Sequence, residues 1–177
     1  MKLLFVSTSV AALGSGLGGG VELSLQNIAN EMLRRGHTLQ IVAPQGSKLT
    51  STIPLIQIPG NLQTTAIDQA RTAPIILPDN SVLANMWDYA HQVQANYDLI
   101  VNFAYDWLPF YLTPFFTTPI AHRVSMSSLS DAMDRIIGSV VAKFPSSVAF
   151  LTRSQAETFP FNREPNVSIT CLSSAID

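Results

Sequence analysis

The chain has 177 residues, 47% of them hydrophobic and 12% charged, with a formal net charge of −2. That length suits one domain with a substantial core, and a charge content about half the globular average leaves large apolar faces to bury. The near-neutral balance gives no reason to expect nucleic acid or an anionic membrane as main partner, and no run reaches the ~18 apolar residues of a membrane span.

The first element is a buried strand, Lys2-Leu3-Leu4-Phe5-Val6-Ser7, short and mostly apolar as a central parallel strand should be. The turn Gly14-Ser15-Gly16-Leu17-Gly18-Gly19-Gly20 follows. A helix then runs from about Val21 to Arg35, with Val21, Leu25, Ile28, Ala29, Met32 and Leu33 on one face. Glu22 in its first turn and Arg34-Arg35 in its last match the macrodipole, and Gly36 ends it. The opening Met1-Lys2, apolar run and Ala11-Ala12 superficially suit a signal peptide. Ser7-Thr8-Ser9 interrupts the apolar stretch, and strand, turn and helix account for the same residues better. With one cysteine, Cys171, an internal disulfide is excluded, and the expected location is the reducing cytoplasm.

Leu39–Ala43 reads as the second strand, closed by Pro44-Gln45-Gly46, and Ile53–Ile58 as a third. Pro54 suggests that the third lies at an edge. Residues 61–79 read as irregular, with a short helix ahead of Ile75-Ile76-Leu77. Ser81–Asn96 is a helix capped by Asp79 or Asn80. Leu99–Phe103 is the fourth strand, Trp107–Phe116 a short aromatic helix, and Ile120–Val124 the fifth strand. A serine-rich loop, Ser125–Ser130, leads to a helix over Asp131–Phe144 with Ile136, Ile137, Val140 and Val141 inward. Ser147–Leu151 is the sixth strand, Ser154–Thr158 starts a short helix, and Val167–Leu172 is the seventh strand. Strands alternating with helices give an α/β domain over residues 1–177, a parallel sheet of about seven strands with helices on both faces. Ligands of such sheets bind beyond the carboxyl ends of the strands, where strand order reverses. That rule brings the glycine turn, the Ala104–Trp107 loop and the Ser125–Ser130 loop to one rim.

Three glycines at the mouth of a helix let a ligand approach the backbone, where the first free N–H groups and the positive dipole end favour an anion. Gly18, Gly19 and Gly20 are therefore the candidate phosphate binders. Gly14, Gly16 and Gly19 satisfy G-x-G-x-x-G, but the dinucleotide fingerprint also needs an acid at the end of the second strand. Val42-Ala43-Pro44-Gln45 has none, so NAD(P) binding is the runner-up. A Walker loop fails because no lysine follows the glycines. A non-catalytic binding module is the third reading, and it leaves the glycine turn idle.

Gly18-Gly19-Gly20-Val21-Glu22 resembles the G-G-x-E motif of the retaining, nucleotide-sugar-using GT-B enzymes of glycosyltransferase family 4. Arg34-Arg35-Gly36-His37-Thr38-Leu39-Gln40-Ile41 resembles that family's R-R-G-H-x-V-x-V passage into the second strand. Asp98–Val101 with Asp106-Trp107-Leu108 is similar to its D-V-I…H-D-W-L segment, and Ile169–Asp177 to the link into its second domain. The resemblance implies a Rossmann-like, acceptor-side half of a glycosyltransferase, with the glycine loop touching the diphosphate of a nucleotide-sugar donor across the cleft. It implies that the donor-binding C-terminal domain, with the family's paired glutamates, lies outside this chain, which alone should not transfer sugar. The partners would be that domain, the donor and a small acceptor; no metal or separate cofactor is called for. Glu22, Tyr105, Asp106, Trp107, His122 and Ser125 are the candidate cleft-lining residues. Tyr105 stands where the family often has histidine, and Ser125 where it has another, with His122 three residues earlier. Strand alternation puts residues 122 and 125 on opposite faces. The opening Leu4–Thr8, with Leu13–Gly16 and on to Glu22-Leu23, is also similar to cyanobacterial glucosyltransferases acting on pteridines. That similarity implies UDP-glucose as donor and a reduced pterin as acceptor.

Overall fold

A computed structural model describes residues 1–17, 19–163 and 170–171. Its core is a seven-stranded, all-parallel sheet: β1 Lys2–Val6, β2 Thr38–Pro44, β3 Leu55–Ile58, β4 Leu99–Asn102, β5 Ile120–Val124, β6 Val148–Phe150 and β7 Thr170–Cys171. The spatial order is β3-β2-β1-β4-β5-β6-β7. β1 lies between β2 and β4, with Leu4 opposite Gln40 on one side and Ile100 on the other. A strand enclosed on both edges and both faces must be apolar throughout, and Leu3, Leu4, Phe5 and Val6 are all buried. β3 is the edge strand, as Pro54 indicated. Pro54 sits just outside it and serves through its carbonyl, which accepts the Ile41 N–H at 2.9 Å.

Helix α1 (Gly19–Arg34) covers one face of the sheet, its Leu25 and Ala29 packed on Leu3, Phe5, Leu39 and Ile41. Helix α2 (Val82–Val93) packs on the opposite face against Leu4, Val6, Val42 and Ile100. Helices α3 (Trp107–Leu112) and α4 (Asp131–Lys143) continue that second layer, with Phe110, Ile137 and Val141 over Val124, Val148 and Phe150. The short α5 spans Arg153–Ala156.

Several boundaries differ from the sequence reading for local reasons. Leu33 is exposed, because Met32 completes the α1 stripe begun by Leu25 and Ala29. The cap of α2 is Ser81, whose hydroxyl accepts the Ala84 N–H at 3.4 Å. Asn80 adopts a left-handed φ of 45° and makes the turn before the cap, so it cannot supply the extended capping conformation. The expected tails of α2 and α3 tighten into 3-10 turns at Gln94–Asn96 and Thr113–Phe115. Ala66–Asp68 forms the short helical turn expected ahead of Ile75. Residues 61–79 are tied down by Arg71, which meets Asp131 at 2.8 Å and the buried Asp134 at 2.6 Å on α4. Val167–Ile169 and Leu172–Asp177, which include most of the seventh strand as read and of the interdomain link, lie outside the described residues.

Candidate functional site

The chain runs leftward from β1 to β2 and β3, then returns to β4 and runs rightward, so the switch point lies between β1 and β4. A cavity of about 380 Å³ opens there, beyond the carboxyl ends of the strands. Its walls come from the loop after β1 (Thr8, Val10), the start of α1 (Gly19, Gly20, Val21), the segment after β3 (Gln63, Ile67), the loop after β4 (Phe103, Tyr105, Asp106) and the loop after β5 (Ser125, Met126).

Of the proposed anion binders, Gly19 and Gly20 line the cavity and are exposed, and Gly18 lies outside the described residues. A Cβ built on Gly19 or Gly20 meets nothing within 4 Å, so the mouth of α1 is open to a ligand. Gly19 has φ +57°, which favours glycine, whereas Gly20 has no positive φ. The first N–H groups of a helix have no carbonyl one turn back to bond, so they point outward from this open end.

Glu22 lies elsewhere. It is buried, and its carboxylate accepts the Gly14 N–H eight residues upstream. It braces the glycine turn from inside and does not line the cavity, contrary to its expected place there. The start of the turn is also clamped to the loop after β2. Leu13 N–H donates to Ser47 Oγ at 2.9 Å, and Lys48 N–H to the Leu13 carbonyl at 2.8 Å.

Tyr105, Asp106 and Ser125 are brought together in the cavity. The Tyr105 hydroxyl donates to the Ser127 carbonyl at 3.2 Å, and burial pushes the phenol up to about 12, so it stays protonated. The Asp106 carboxylate accepts from Ser9 Oγ at 3.2 Å and Gln63 Nε2 at 3.4 Å. No lysine, arginine or histidine among the described residues forms an ion pair with it. Burial raises its pKa, an effect opposed by hydrogen bonding from Gln63, Ser9 and the Trp107 backbone. The Ser125 hydroxyl is buried without a partner among the described residues.

Trp107 and His122 do not join them. Trp107 stacks on Tyr111, ring centroids 4.6 Å apart, and packs toward the α3–α4 core. His122 is fully buried beneath α3, stacked on Phe110 at 4.3 Å. Its Nδ1 lies 3.1 Å from Asn102 Nδ2 and its Nε2 2.8 Å from Thr113 Oγ1. Strand alternation accounts for the separation: His122 faces the helical layer and Ser125 reaches the rim. The cavity's aromatic wall is Phe103 and Tyr105; Phe110 and Tyr111 belong to the helical layer.

Two glutamines escaped the sequence reading. Gln63 lines the cavity and donates to Asp106 and, at 3.3 Å, to the Ile76 carbonyl. Gln155 donates to the Val124 and Met126 carbonyls at 2.9 and 2.7 Å, and so holds the loop that carries Ser125. Gln63 sits in no periodic or motif-like segment, whereas Gln155 completes the T-x-x-Q capping pattern of α5, a local signal that says nothing of its reach to the end of β5. Among the described residues no cluster of three or more His, Cys, Asp or Glu could hold a metal ion, and no helix is long and apolar enough to cross a membrane.

Compared with known protein families and with curated proteins, the sequence matches none. Among solved structures it is similar to MurG from Acinetobacter baumannii, with a TM-score of 0.52 and 15% sequence identity over 90% of this chain. The chain spans 42% of the length of that protein, a glycosyltransferase of GT-B fold. The likeness is one of fold: a Rossmann-like α/β domain of the kind a GT-B enzyme contains.

Proposed function

We propose that this chain is the acceptor-side half of a nucleotide-sugar-dependent glycosyltransferase, of the family-4 type that its glycine and arginine motifs resemble. The observation that carries this reading is the cavity at the switch point, bordered by the bare mouth of α1 and containing the Asp106 carboxylate. In such a transfer the bond from the sugar's anomeric carbon to the diphosphate oxygen breaks, and its electron pair stays on the diphosphate. The acceptor hydroxyl oxygen bonds that carbon and gives up its proton. Oriented N–H groups at Gly19 and Gly20 would stabilise the charge left on the diphosphate without needing to reorganise. UDP-glucose as donor and a reduced pterin as acceptor are the specific substrates that the amino-terminal resemblance favours. Leu17 and Ile67 flank the cavity at 82% and 65% exposure, an apolar rim suited to a second, donor-binding domain closing over it. The dinucleotide alternative lacks support at β2, which ends Ala43-Pro44 with Gln45 next, with no carboxylate for a ribose.

Titration calorimetry with UDP, UDP-glucose and NAD, on this chain joined to the donor-binding domain that the reading requires, tests it. UDP and UDP-glucose should bind and NAD should not; tight NAD binding without UDP binding reverses the assignment, and silence from all three favours a non-catalytic module. Gly20→Leu sharpens the test. A Cβ at this position meets nothing within 4 Å, and replacing a helical glycine by leucine stabilises by up to ~1 kcal/mol. Thermal stability should hold or rise while UDP affinity falls by about tenfold, or 1.4 kcal/mol. An unchanged UDP affinity removes the role assigned to the helix mouth.

A further inference from the structure

Arg123, near the carboxyl end of β5, carries a charge into the interior that no described residue neutralises. It is only 7% exposed, and it forms no ion pair among the described residues. Its Nε and Nη1 are enclosed and have no hydrogen-bond partner there either. Its guanidinium carbon stands over the Phe103 ring, 5.8 Å from the centre, a cation–π contact and a loose hold. Burial pulls its pKa down from the ordinary arginine value, yet a guanidinium stays charged in a protein. A buried cation without a counter-charge is costly, so this one calls for an anion from beyond the described residues.

Its neighbours indicate where that anion enters. Alternation along β5 turns Arg123 away from the His122 side, where Phe110 stacks, and onto Phe103, which belongs to the core beneath α1. Phe103 lines the cavity at the switch point, as does Ser125 two residues further on, and Gly19 and Gly20 border the same cavity from the mouth of α1. One side of the cavity therefore has helix N–H donors at its border and an unneutralised guanidinium against its wall. The enclosed nitrogens cannot be reached in place. The guanidinium has to leave the ring, which its long rotatable stem allows and which no hydrogen bond among the described residues opposes.

We propose that Arg123 is the cation of the anion site, turning off Phe103 into the cavity to share a diphosphate with the mouth of α1. That the diphosphate belongs to a nucleotide-sugar rests on the glycosyltransferase reading; the pairing of Arg123 with an anion does not. The planar fork of a guanidinium matches two phosphoryl oxygens at once. As the sugar–oxygen bond breaks and its electron pair stays on the diphosphate, the contact strengthens, so Arg123 stabilises the leaving group more than the bound donor.

Inorganic pyrophosphate, which carries the diphosphate without sugar or base, tests this on the joined protein used for the calorimetry above. It should shift the Arg123 Nε–H resonance, whereas uridine, which has no phosphate, should not. Arg123→Met keeps an apolar stem and removes the charge. Its thermal stability should hold or rise, because an unneutralised buried cation is gone, while affinity for pyrophosphate and for UDP each falls about tenfold or more. Arg123→Lys, charged but without the fork, should retain part of that affinity. An unmoved resonance in the wild type, or an unchanged pyrophosphate affinity in Arg123→Met, overturns the proposal. So does an Arg123→Met variant that is strongly destabilised or unfolded without ligand, since Arg123 would then be paired within the protein itself. Pyrophosphate binding through Arg123 with no binding of UDP or UDP-glucose defeats the glycosyltransferase reading and leaves the anion site standing. UDP-glucose binding to which Arg123 is indifferent defeats only this proposal.

Discussion

Taking the protein from pH 7 to pH 4 should cost about 3 kcal/mol of folding stability through His122 alone. Burial lowers the pKa of this residue from 6.5 to about 3. Its surroundings explain why the charged form is refused. Asn102 Oδ1 accepts the Ala104 N–H at 3.0 Å, which turns the Asn102 amide nitrogen toward His122 Nδ1. Nδ1 must therefore accept, and Nε2 carries the proton toward Thr113 Oγ1, whose own hydrogen goes to the Phe110 carbonyl at 2.8 Å. A second proton on Nδ1 would face an N–H donor in a site closed to water. The unfolded chain takes up that proton near pH 6.5 and the folded chain near pH 3, so stability falls as pH drops through the window between them. His122→Gln keeps an acceptor and a donor but cannot titrate. Urea unfolding of both proteins from pH 7 to pH 4 should show the difference between them shrinking by about 3 kcal/mol as the wild type loses its advantage. Parallel pH curves would mean that His122 titrates alike in both states.

The burial of His122 bears on how much of the site the sequence discloses. Alternation along β5 already separates His122 from Ser125, and in the structure His122 is buried against Phe110 while Ser125 lies in the rim cavity. What alternation could not say was that Asn102 and Thr113, from β4 and the turn after α3, would close around the ring. The strand–glycine turn–helix unit was legible because each part has its own local signature: an apolar run, positive-φ residues, a 3.6-residue stripe. Glu22 shows the limit of that logic. A first-turn glutamate matches the dipole whatever else it does, so its reach back to Gly14 leaves no trace in the pattern. Gln63 lies in the stretch read as least ordered. It is fixed by partners at Ser9, Ile76 and Asp106, contacts far apart in the sequence that carry no period. Strands and helices declare themselves through repetition, whereas a cavity wall assembled from loops is specified by single long-range bonds.

Gly14→Ala should destabilise the protein by about 3 kcal/mol, by far the largest effect in the glycine turn. Two causes add. Gly14 has φ +79°, a conformation that costs an alanine roughly 1–2 kcal/mol. A Cβ there would also lie 2.6 Å from the Lys48 carbonyl oxygen, a backbone atom that cannot swing aside. Moving it means breaking the clamp of Leu13 to Ser47 and Lys48, and with it the alignment of the Gly14 N–H on Glu22. Gly16 separates the two causes. Its φ of +78° is nearly the same, yet an added Cβ meets nothing within 4 Å. Gly16→Ala should therefore show only the backbone cost, about 1–2 kcal/mol, and the difference between the variants measures the clash. Urea unfolding midpoints of the two alanine variants check this; equal losses would mean that the turn and the loop after β2 give way freely. The same contrast separates the turn's two duties. Gly14 is a joint where backbone meets backbone, and its replacement should strike stability first. Gly20 faces open space at the helix mouth, and its replacement should strike UDP binding while stability holds. A turn that merely closed a βα unit would need the tight approach at Gly14 and the positive φ at Gly19 but would have no use for a bare residue at Gly20.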